Sequence, residues 1–424
     1  MSDLQNDCFR VEDELLPYHK GLEILQEHAH TVVGAETVPL TKALQRTLAE
    51  HVKATINVPP HNNSAVDGYA VSFADLNANA ETRLPITGRI AAGHPLGRTI
   101  EPGEAVQIFT GGAMPDGLDT IFLQEDVTVE EDTVVLPQGI AQGTNRRLTG
   151  EDVKQGDVVL ESGKQLRAQE IGMAASLGLG ELKVFRPLRV AVFSSGDEIV
   201  DPVFDGEDAV GTGQGVIFDS NRYSLAALLR GLGCEVTDLG ILQDKVGEIR
   251  SALHDASAGH DLIITSGGVS LGEEDHITHV VESLGSIEFW RLAIKPGRPM
   301  AMGKIVDTAF IGLPGNPVAA MVTFMRIARP LILTMSGRKL VDVPLVKIPA
   351  NFSMIKKPGR REWLRASLCT GDDGELQVKK FAHQGAGILA SMVASDGLIE
   401  LAEDVEHVKK GDLVSYLSFR DLTS

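Results

Sequence analysis

The stretch Asp261-Leu-Ile-Ile-Thr-Ser-Gly-Gly-Val-Ser-Leu-Gly-Glu-Glu-Asp-His276 decides the fold of this chain. Its first residues form a short run rich in branched apolar side chains, which is typical of a strand buried on both faces of a parallel sheet. Ser266, Gly267 and Gly268 follow at once. Two glycines leave the backbone free to adopt positive φ and to point successive N–H groups at one anion. On this piece alone, a tight strand-to-helix turn without a ligand is an equally good interpretation.

Three other predicted strands nearby also end in polar turns. From Leu188 onward buried runs alternate with helical segments, which is the signature of βαβ units. Ligands of open α/β sheets bind outside the carboxyl ends of the strands. Asn316 and Pro317 suit the N-cap and first position of a helix, whose N-terminus carries partial positive charge. The four turns are Ser194-Ser-Gly-Asp-Glu198, Ser266-Gly-Gly268, Ile294-Lys-Pro-Gly-Arg-Pro299 and Leu313-Pro-Gly-Asn-Pro317.

Charged residues in and beside these turns indicate which ligand they would take. Lys295 and Arg298 would neutralise an anion, and the carboxylates of Glu198, Asp244 and Asp275 would hold Mg²⁺ against a phosphate. His276 and His279 have helical spacing, but an exposed helix face explains the pair better than zinc does because no third ligand recurs nearby. The sequence therefore predicts a phosphate-binding cleft at one edge of a sheet.

Composition limits the class of protein. The chain has 424 residues, which predicts two to four domains. Its net charge of −19 argues against nucleic-acid binding. No apolar run of about 18 residues is present, so no membrane span is expected. The acidic N-terminus lacks the features of a signal peptide, and 3 scattered cysteines fit a reducing cytoplasm.

The rest of the chain reads as helices and short strands around polar loops. Helices are predicted for Pro17–Ala29 and Lys42–Leu48, and the pattern of residues 81–140 is β-rich throughout. Residues 58–70 read as a loop, in which Asp67 either caps backbone N–H groups or serves as a reactive or metal-facing carboxylate. The capping role is favoured because Asp-Gly is first a turn signal. Thr110 lies at the mouth of another Gly-Gly turn and either caps it or meets a ligand.

Eight segments resemble the MoeA family of molybdopterin molybdenumtransferases, which includes the E domain of gephyrin. They occur in the family's order and cover nearly the whole chain. They are VPPHNNSAVDGYA (58–70), IFTGGAMP (108–115), NRRLTGED (145–152), VFSSGDEI (192–199), TSGGVSLGEEDH (265–276), LAIKPGRPM (292–300), LPGNPVAA (313–320) and ILASMVASDGLIEL (388–401).

The resemblance implies a multidomain α/β plus β fold and a homodimer. A discontinuous helical linker domain would comprise residues 1–33 and 145–186, with a β-rich domain (34–144) inserted into it. A central three-layer, nucleotide-binding-like domain of the MogA/MoaB type would span 187–338. A β-barrel-like domain (339–424) would end the chain.

The resemblance also implies a reaction, which is Mg²⁺-dependent insertion of molybdate into adenylylated molybdopterin with release of AMP. Transient contacts with a molybdopterin adenylyltransferase and with molybdoenzyme maturation proteins are implied as well. Together with the turns, the resemblance indicates six candidate catalytic residues: Asp67, Thr110, Asp152, Glu198, Asp275 and Lys295. The candidate metal ligands are Glu198, Asp244 and Asp275. The candidate substrate-binding residues are Ser194, Ser266, Gly267, Gly268, Asp244, Arg291, Arg298, Pro314, Gly315, Asn316, Pro317, Arg365 and Ser391.

Three departures from the family pattern concern detail rather than reaction class. Val66 replaces a methionine, Ala319 replaces a serine at the helix start, and Arg298 stands where lysine is common, which keeps the charge and changes its geometry. Two other functions stay open from the sequence. One is a nucleotide-binding regulator or pyrophosphatase-like enzyme that shares only the α/β domain, and the other is a dimeric scaffold that holds a peptide.

Overall fold

The structure, a computed structural model, describes residues 15–202, 215–268, 276–372 and 374–423. The chain divides into two units. The first comprises Met1–Glu36, Gln45–Ala49 and Val184–Ser424, and the second comprises Thr37–Leu44 and Glu50–Lys183. Each unit is described by itself below.

The first unit is built on the α/β sheet, which has six strands within the described residues. The first four strands of the order given below are parallel to one another. The fifth strand, Pro299–Ile305, pairs antiparallel with both of its neighbours. The buried strand predicted from residue 261 is confirmed at the centre of this sheet. Across the sheet the strands are Glu235–Leu242, Arg189–Ser195, Leu262–Ser266, Thr308–Leu313, Pro299–Ile305 and Gly285–Arg291.

Strand Arg189–Ser195 shows why these runs form a sheet covered on both faces. Successive side chains of a strand point to opposite faces. Val190 and Val192 join one hydrophobic core, whereas Ala191 and Phe193 join the other. Helices Asn221–Gly231 and Pro317–Met335 contribute to the first core, and helices Val246–Gly259 and His276–Leu284 contribute to the second. The predicted three-layer α/β arrangement is therefore confirmed.

Helix Pro317–Met335, called the cleft helix below, includes a π-helical turn over Phe324–Ala328. It begins at Pro317 directly after Asn316, as predicted. Among the described residues it alone is long and apolar enough to cross a membrane, but 72% of it is buried inside the protein. Its apolar character is therefore explained by packing against the α/β sheet.

The C-terminal sheet completes the first unit. In the described part of the chain it runs in the order Ile294–Lys295, Arg361–Thr370, Gly397–Leu401, Leu413–Ser418 and Val346–Pro349, and Leu376–Lys380 pairs with Arg361–Thr370. A separate short pair joins Met354–Ile355 to His407–Val408. The β-rich C-terminal region predicted from the sequence is confirmed.

Glu400 of the C-terminal sheet links three parts of the first unit. Its buried carboxylate accepts hydrogen bonds from Arg326 Nη2 of the cleft helix at 3.1 Å and from Arg361 Nη1 at 3.1 Å. Trp363 Nε1 donates to the same carboxylate at 2.8 Å. The Tyr18 ring packs edge-on against Trp363, with centroids 5.1 Å apart, and brings in the N-terminal helix Tyr18–His28. Both tryptophans of the chain, Trp290 and Trp363, are buried.

The second unit is built on the inserted sheet. Its strands run in the order Thr120–Leu123, Gly68–Val71, Ala105–Ile108, Thr82–Ile90, Thr133–Leu136 and Thr128–Glu130 among the described residues. Tyr69 and Val71 face one apolar cluster and Ala70 faces the other, so this sheet is also covered on both faces. Helix Ala168–Ser176 and two short strand pairs, Asn63–Ser64 with Arg146–Arg147 and Val52–Lys53 with Val158–Leu160, complete the unit.

Two local predictions are wrong. Lys42–Leu48 is not a helix, because only Leu40–Lys42 forms a 3₁₀ turn, Gln45 has a φ of 64°, and Leu48 pairs with Val184. Residues 58–70 are not a loop throughout, since Gly68 begins a buried strand. A Cβ on Gly68 would lie 1.8 Å from the Phe122 carbonyl oxygen, so glycine is required there by strand packing rather than by a turn.

Replacing Glu400 with glutamine is expected to destabilise the first unit. The amide would keep the size of the side chain but remove the negative charge that pairs with Arg326 and Arg361, of which Arg361 keeps its second partner Glu403. The loss is about 3 kcal/mol for a buried pair. Urea denaturation followed by tryptophan fluorescence measures the change, because Trp363 lies in the network. Glu130→Gln, in the exposed Arg83–Glu130 pair, is the matched control and should change stability by less than about 0.5 kcal/mol. Equal effects of the two variants would contradict the prediction.

Acid should weaken the second unit through Glu170. Hydrogen bonds from the Arg167 side chain lower the pKa of this carboxyl from 4.5 to about 2. Since the folded pKa is lowered, the stabilisation is complete above pH 4.5 and is lost as the pH falls toward 2. Its size is about 1–2 kcal/mol, because the partner Arg167 is exposed to solvent. Urea titrations of Glu170→Gln should show a shallower loss of stability across this pH range than the unmodified chain; parallel curves would refute it.

Candidate active site

A cleft of about 610 Å³ opens at the carboxyl ends of the parallel strands. Each of the three central parallel strands contributes the turn that follows it, and the short strands Ile199–Val200 and Ile217–Phe218 form an apolar rim. This position is the one where ligands of open α/β sheets bind. The described lining consists of Ser194, Ser195, Glu198, Ile199, Ile217, Phe218, Asp219, Ser220, Asn221, Ser266, Gly267, Gly268, Gly315, Asn316, Pro317, Gly387 and Leu389.

The turn after the central strand requires both of its glycines. Gly267 and Gly268 have φ of +86° and +64°, a region that side-chain-bearing residues rarely adopt. A Cβ on Gly268 would lie 2.7 Å from Ser195 Oγ, and one on Gly267 would lie 3.8 Å from Gly315 Cα. The predicted positive-φ turn is confirmed. It allows the backbones of neighbouring turns to approach each other closely.

Hydrogen bonds join the central turn to the next strand end. The backbone N–H of Gly267 donates to the carbonyl of Leu313 at 3.0 Å, and the buried hydroxyl of Ser266 donates to the carbonyl of Pro314 at 2.8 Å. The Ser-Gly-Gly and Pro-Gly-Asn turns are thus held side by side. Both were singled out from the sequence, and both contribute to one cleft.

The start of the cleft helix lies at the same place. Asn316 has an extended backbone with ψ of 129°, and Pro317 is the first helical residue. Within the described residues the Asn316 side chain makes no capping hydrogen bond, so the predicted position is right and the predicted cap is not formed. Val318 N donates instead to the carbonyl of Ala386 at 3.0 Å, which ties the helix start to the loop that supplies Gly387.

One of the three predicted metal ligands lines the cleft. Glu198 is exposed there, beside Gly196, while Asp244 is exposed after strand Glu235–Leu242 and outside the described lining. Asp275 lies outside the described residues, in which no group of three or more metal-binding side chains occurs. Mg²⁺ is usually held by one or two carboxylates together with substrate phosphates. The carboxylate of Glu198 together with phosphate oxygens of a substrate would therefore fit this ion.

The predicted cations stand apart from the described lining. Lys295 Nζ lies 3.2 Å from Glu362 Oε2 of the C-terminal sheet, and Arg291 and Arg298 are exposed. Their turn nevertheless packs on the cleft helix, because a Cβ on Gly297 would lie 3.2 Å from the carbonyl oxygen of Ala319. The structure thus places this turn against the helix that begins at the cleft.

Arg365 and Ser391 are brought together behind a cleft loop. Arg365 is 1% exposed, and its Nε donates to Ser391 Oγ at 3.0 Å and its Nη2 to the Gly385 carbonyl at 3.1 Å. Burial lowers the pKa of this guanidinium to about 10. Both residues support the loop that carries Gly387 and Leu389. Within the described residues, the hydrogen-bond partners of the Arg365 guanidinium are neutral oxygens.

The remaining predicted residues belong to the second unit. Asp67 Oδ1 accepts hydrogen bonds from both the backbone N and the Oγ1 of Thr110, each at 2.7 Å, and the backbone bond is the main cause of a lowered Asp67 pKa. Asp152 is exposed, and its backbone N donates to the carbonyl of Val58 at 3.1 Å. The loop that carries Asp67 is therefore paired with the loop that carries Thr110. Asp67 does cap a backbone N–H, although that N–H belongs to a residue 43 positions away.

Sequence reasoning missed several cleft residues. Asn221 and Gly387 both line the cleft, and neither is among the candidate residues named from the sequence. Ile217 and Phe218 carried no signal, because a two-residue strand has no periodicity to detect. The segment Asp219-Ser220-Asn221 at the start of a helix is the sequence signal that could have identified Asn221 as a cleft residue, because a helix start in such a sheet borders the ligand site.

Comparisons with known proteins agree with this architecture. Residues 16–178 match the MoeA N-terminal region (domain I and II), residues 191–334 match a family described as the probable molybdopterin binding domain, and residues 347–419 match the MoeA C-terminal region (domain IV).

Relatives match over most of their length. The molybdopterin molybdenumtransferase of Haemophilus influenzae is 40% identical over 91% of this chain and 94% of its own, and the Nostoc protein of the same name is 36% identical over 86% and 84%. The crystal structure of the molybdopterin biosynthesis MoeA protein from Pyrococcus horikoshii OT3 superposes with a TM-score of 0.81 at 27% identity, over 96% of this chain and 100% of that one. The chain belongs to the MoeA family.

Proposed function

We propose that this chain is a molybdopterin molybdenumtransferase of molybdenum cofactor biosynthesis. It inserts molybdate into adenylylated molybdopterin and releases AMP. Family membership supports the reaction class, since relatives that match over nearly their whole length carry that name. The observation that carries the proposal is the cleft, where two glycine-shaped turns and a helix start meet at the carboxyl ends of parallel strands.

This arrangement suits a phosphoanhydride. Cleavage of such a bond needs little covalent help from the protein and depends mainly on positioning and on charge placed where it develops. The backbone N–H groups of Gly267 and Val318 already donate to the carbonyls of Leu313 and Ala386. The helix N-terminus and the other backbone N–H groups of the turns would attract phosphate oxygens without a counter-ion. Ser194 and Ser266 place hydroxyls at the same strand ends, where both side chains are nearly buried.

Glu198, Asp244 and Asp275 would hold Mg²⁺, which when bound neutralises charge on the phosphate oxygens. Lys295 and Arg298 are proposed to bind the oxyanion, and Arg291 to assist in substrate binding. Pro314 and Pro317 shape the cleft by fixing the backbone on either side of Gly315 and Asn316.

The proposal extends to the second unit and to partners. Asp67, Thr110 and Asp152 would complete the cleft of another copy in a homodimer. The Asp67–Thr110 hydrogen bonds support a fixed, ionised carboxylate for that purpose. A molybdopterin adenylyltransferase would deliver the substrate in the cytoplasm, and maturation proteins would receive the product. The four-domain division at residues 33, 144, 186 and 338 is part of the same proposal.

The reaction is tested by following AMP release from adenylylated molybdopterin with Mg²⁺, with and without molybdate. We expect release to rise with molybdate and to fall about 100-fold in Asp275→Asn and Glu198→Gln, because each removes a charge from the metal site. Asp255→Asn is the matched control, since Asp255 is an exposed acid elsewhere on the first unit and should leave the rate unchanged.

Each other outcome of this assay supports a different function. Release that is indifferent to molybdate would indicate a pyrophosphatase-like enzyme. Intact substrate in every reaction would leave a nucleotide-binding regulator or a scaffold as the function and refute the transferase.

Substitution of Arg365 should weaken the response to molybdate without weakening nucleotide binding. A desolvated guanidinium with a lowered pKa gains from an anion beside it, so Arg365 and Ser391 are proposed as the molybdate end of the site. Arg365→Lys keeps the charge and loses the planar fork. It should raise the molybdate concentration for half-maximal AMP release about tenfold and leave AMP affinity unchanged.

Ser391→Thr, which keeps the hydroxyl, is the control for this substitution. Both variants need a near-UV circular dichroism spectrum like that of the unmodified chain, because Arg365 and Ser391 are buried. A parallel loss of molybdate response and AMP binding would count against a separate molybdate end.

A further inference from the structure

We infer that Asn221 is a positioning residue that holds the two anion-binding turns of the cleft against each other. This inference rests on the proposed function, since it concerns the same cleft. The residue is the first of helix Asn221–Gly231 and has no place among the residues that the resemblance assigns to binding or catalysis. Its side chain reaches two strand ends at once.

Both hydrogens of the Asn221 amide are used. Nδ2 donates to Ser266 Oγ at 2.9 Å and to the Gly315 carbonyl at 2.7 Å. The Ser266 hydroxyl passes its own hydrogen to the Pro314 carbonyl at 2.8 Å. A chain of donors thus runs from the amide through the hydroxyl to the Pro-Gly turn. The direction of each bond is fixed, because the hydroxyl has one hydrogen and the two carbonyl groups can only accept.

The backbone that carries Asn221 is held in place by the contacts of its neighbour Arg222. Arg222 is 2% exposed; its backbone N donates to Asp219 Oδ1 at 3.1 Å and its Nε to Asp219 Oδ2 at 2.9 Å. The guanidinium also pairs with Asp201 and Asp238. A buried arginine bound by three carboxylates leaves the start of this helix little freedom. The amide is therefore placed by the fold and needs no ligand to order it.

Only an amide of this length provides both bonds. Serine or threonine would be too short and has one hydrogen, and aspartate has none to donate when ionised. Without the amide, the Gly315 carbonyl would present an unpaired oxygen at the edge of an anion site. Such an oxygen repels phosphate, so loss of Asn221 weakens the anion part of the site rather than the site in general.

The test measures AMP and adenosine affinity side by side by isothermal titration calorimetry on the full chain. The unmodified protein should prefer AMP, and the preference should fall about tenfold, or about 1.4 kcal/mol, in Asn221→Ala, because the Gly315 carbonyl and the Ser266 hydroxyl both lose the amide that positions them. Asn221→Asp should lose more, because it adds a negative charge. Adenosine affinity should change less than twofold in both variants.

Ser224→Asp is the matched control, since it adds the same charge one turn further along the same helix and lines no part of the described cleft. It should keep the AMP preference. A double-mutant cycle with Ser266→Ala separates a positioning role from general destabilisation. If Asn221 acts through the hydroxyl, the combined loss must be smaller than the sum of the single losses.

The failures are distinguishable. An unmodified chain that binds AMP no better than adenosine would refute the anion cleft and the proposed function with it. A normal AMP preference in Asn221→Ala, or strictly additive losses in the cycle, would overturn the role of Asn221 and leave the proposed function standing. Should Asn221→Ala fail to fold, Ser266→Ala alone decides, because unchanged AMP affinity there would also overturn the inference.

Discussion

The buried carboxylate of Glu400 is the interaction on which the geometry of the first unit depends. It receives Arg326 from the cleft helix and Arg361 and Trp363 from the C-terminal sheet. The loop that supplies Gly387 comes from the C-terminal region, while the other turns of the cleft come from the α/β sheet. The C-terminal region and the α/β sheet can line one cleft only if the two sheets keep a fixed position relative to each other. The two arginines and Glu400, with Glu403 as a second partner of Arg361, impose that relation because separating them would leave buried charges without partners.

The anionic substrate proposed above would have to bind to a chain whose net charge is −19. Long-range electrostatics therefore does not explain the site. Attraction for that substrate would have to be local, from the start of the cleft helix and from the desolvated Arg365 behind the loop that carries Gly387. Such groups act over a few ångströms and are little affected by distant carboxylates in salt solution. The same design keeps the surface acidic and discourages nonspecific binding of nucleic acid.

The sequence alone predicts the parts of the fold that are governed by local pattern. The run from Asp261, the glycine turn and the start at Asn316 were all found because burial and turn chemistry leave a signature within a few residues. Lys42–Leu48 was mistaken for a helix because a tertiary contact of Leu48 with Val184 outweighs propensity. Gly68 was mistaken for a turn residue because the Phe122 carbonyl that requires it is distant in sequence.

Partners across the chain explain what sequence reasoning could not reach in the site. Asn221 contacts residues 45 and 94 positions away, and Asp67 meets Thr110 43 positions away. No periodicity records such a pairing. Arg365 and Ser391 were proposed together only through the family resemblance, and the structure adds the hydrogen bond that explains why both would be needed.

Two glycines of the cleft lining have backbone angles that other residues rarely adopt, and this affects how the protein can change over generations. A codon change alters a side chain, but a backbone N–H is retained whatever residue carries it, provided that the φ angle can be kept. Replacement of Gly267 or Gly268 would thus strain the backbone, whereas replacement of Ile217 or Phe218 on the apolar rim would not meet this constraint. Changes of the cleft lining are therefore expected at the rim rather than at the Ser-Gly-Gly turn.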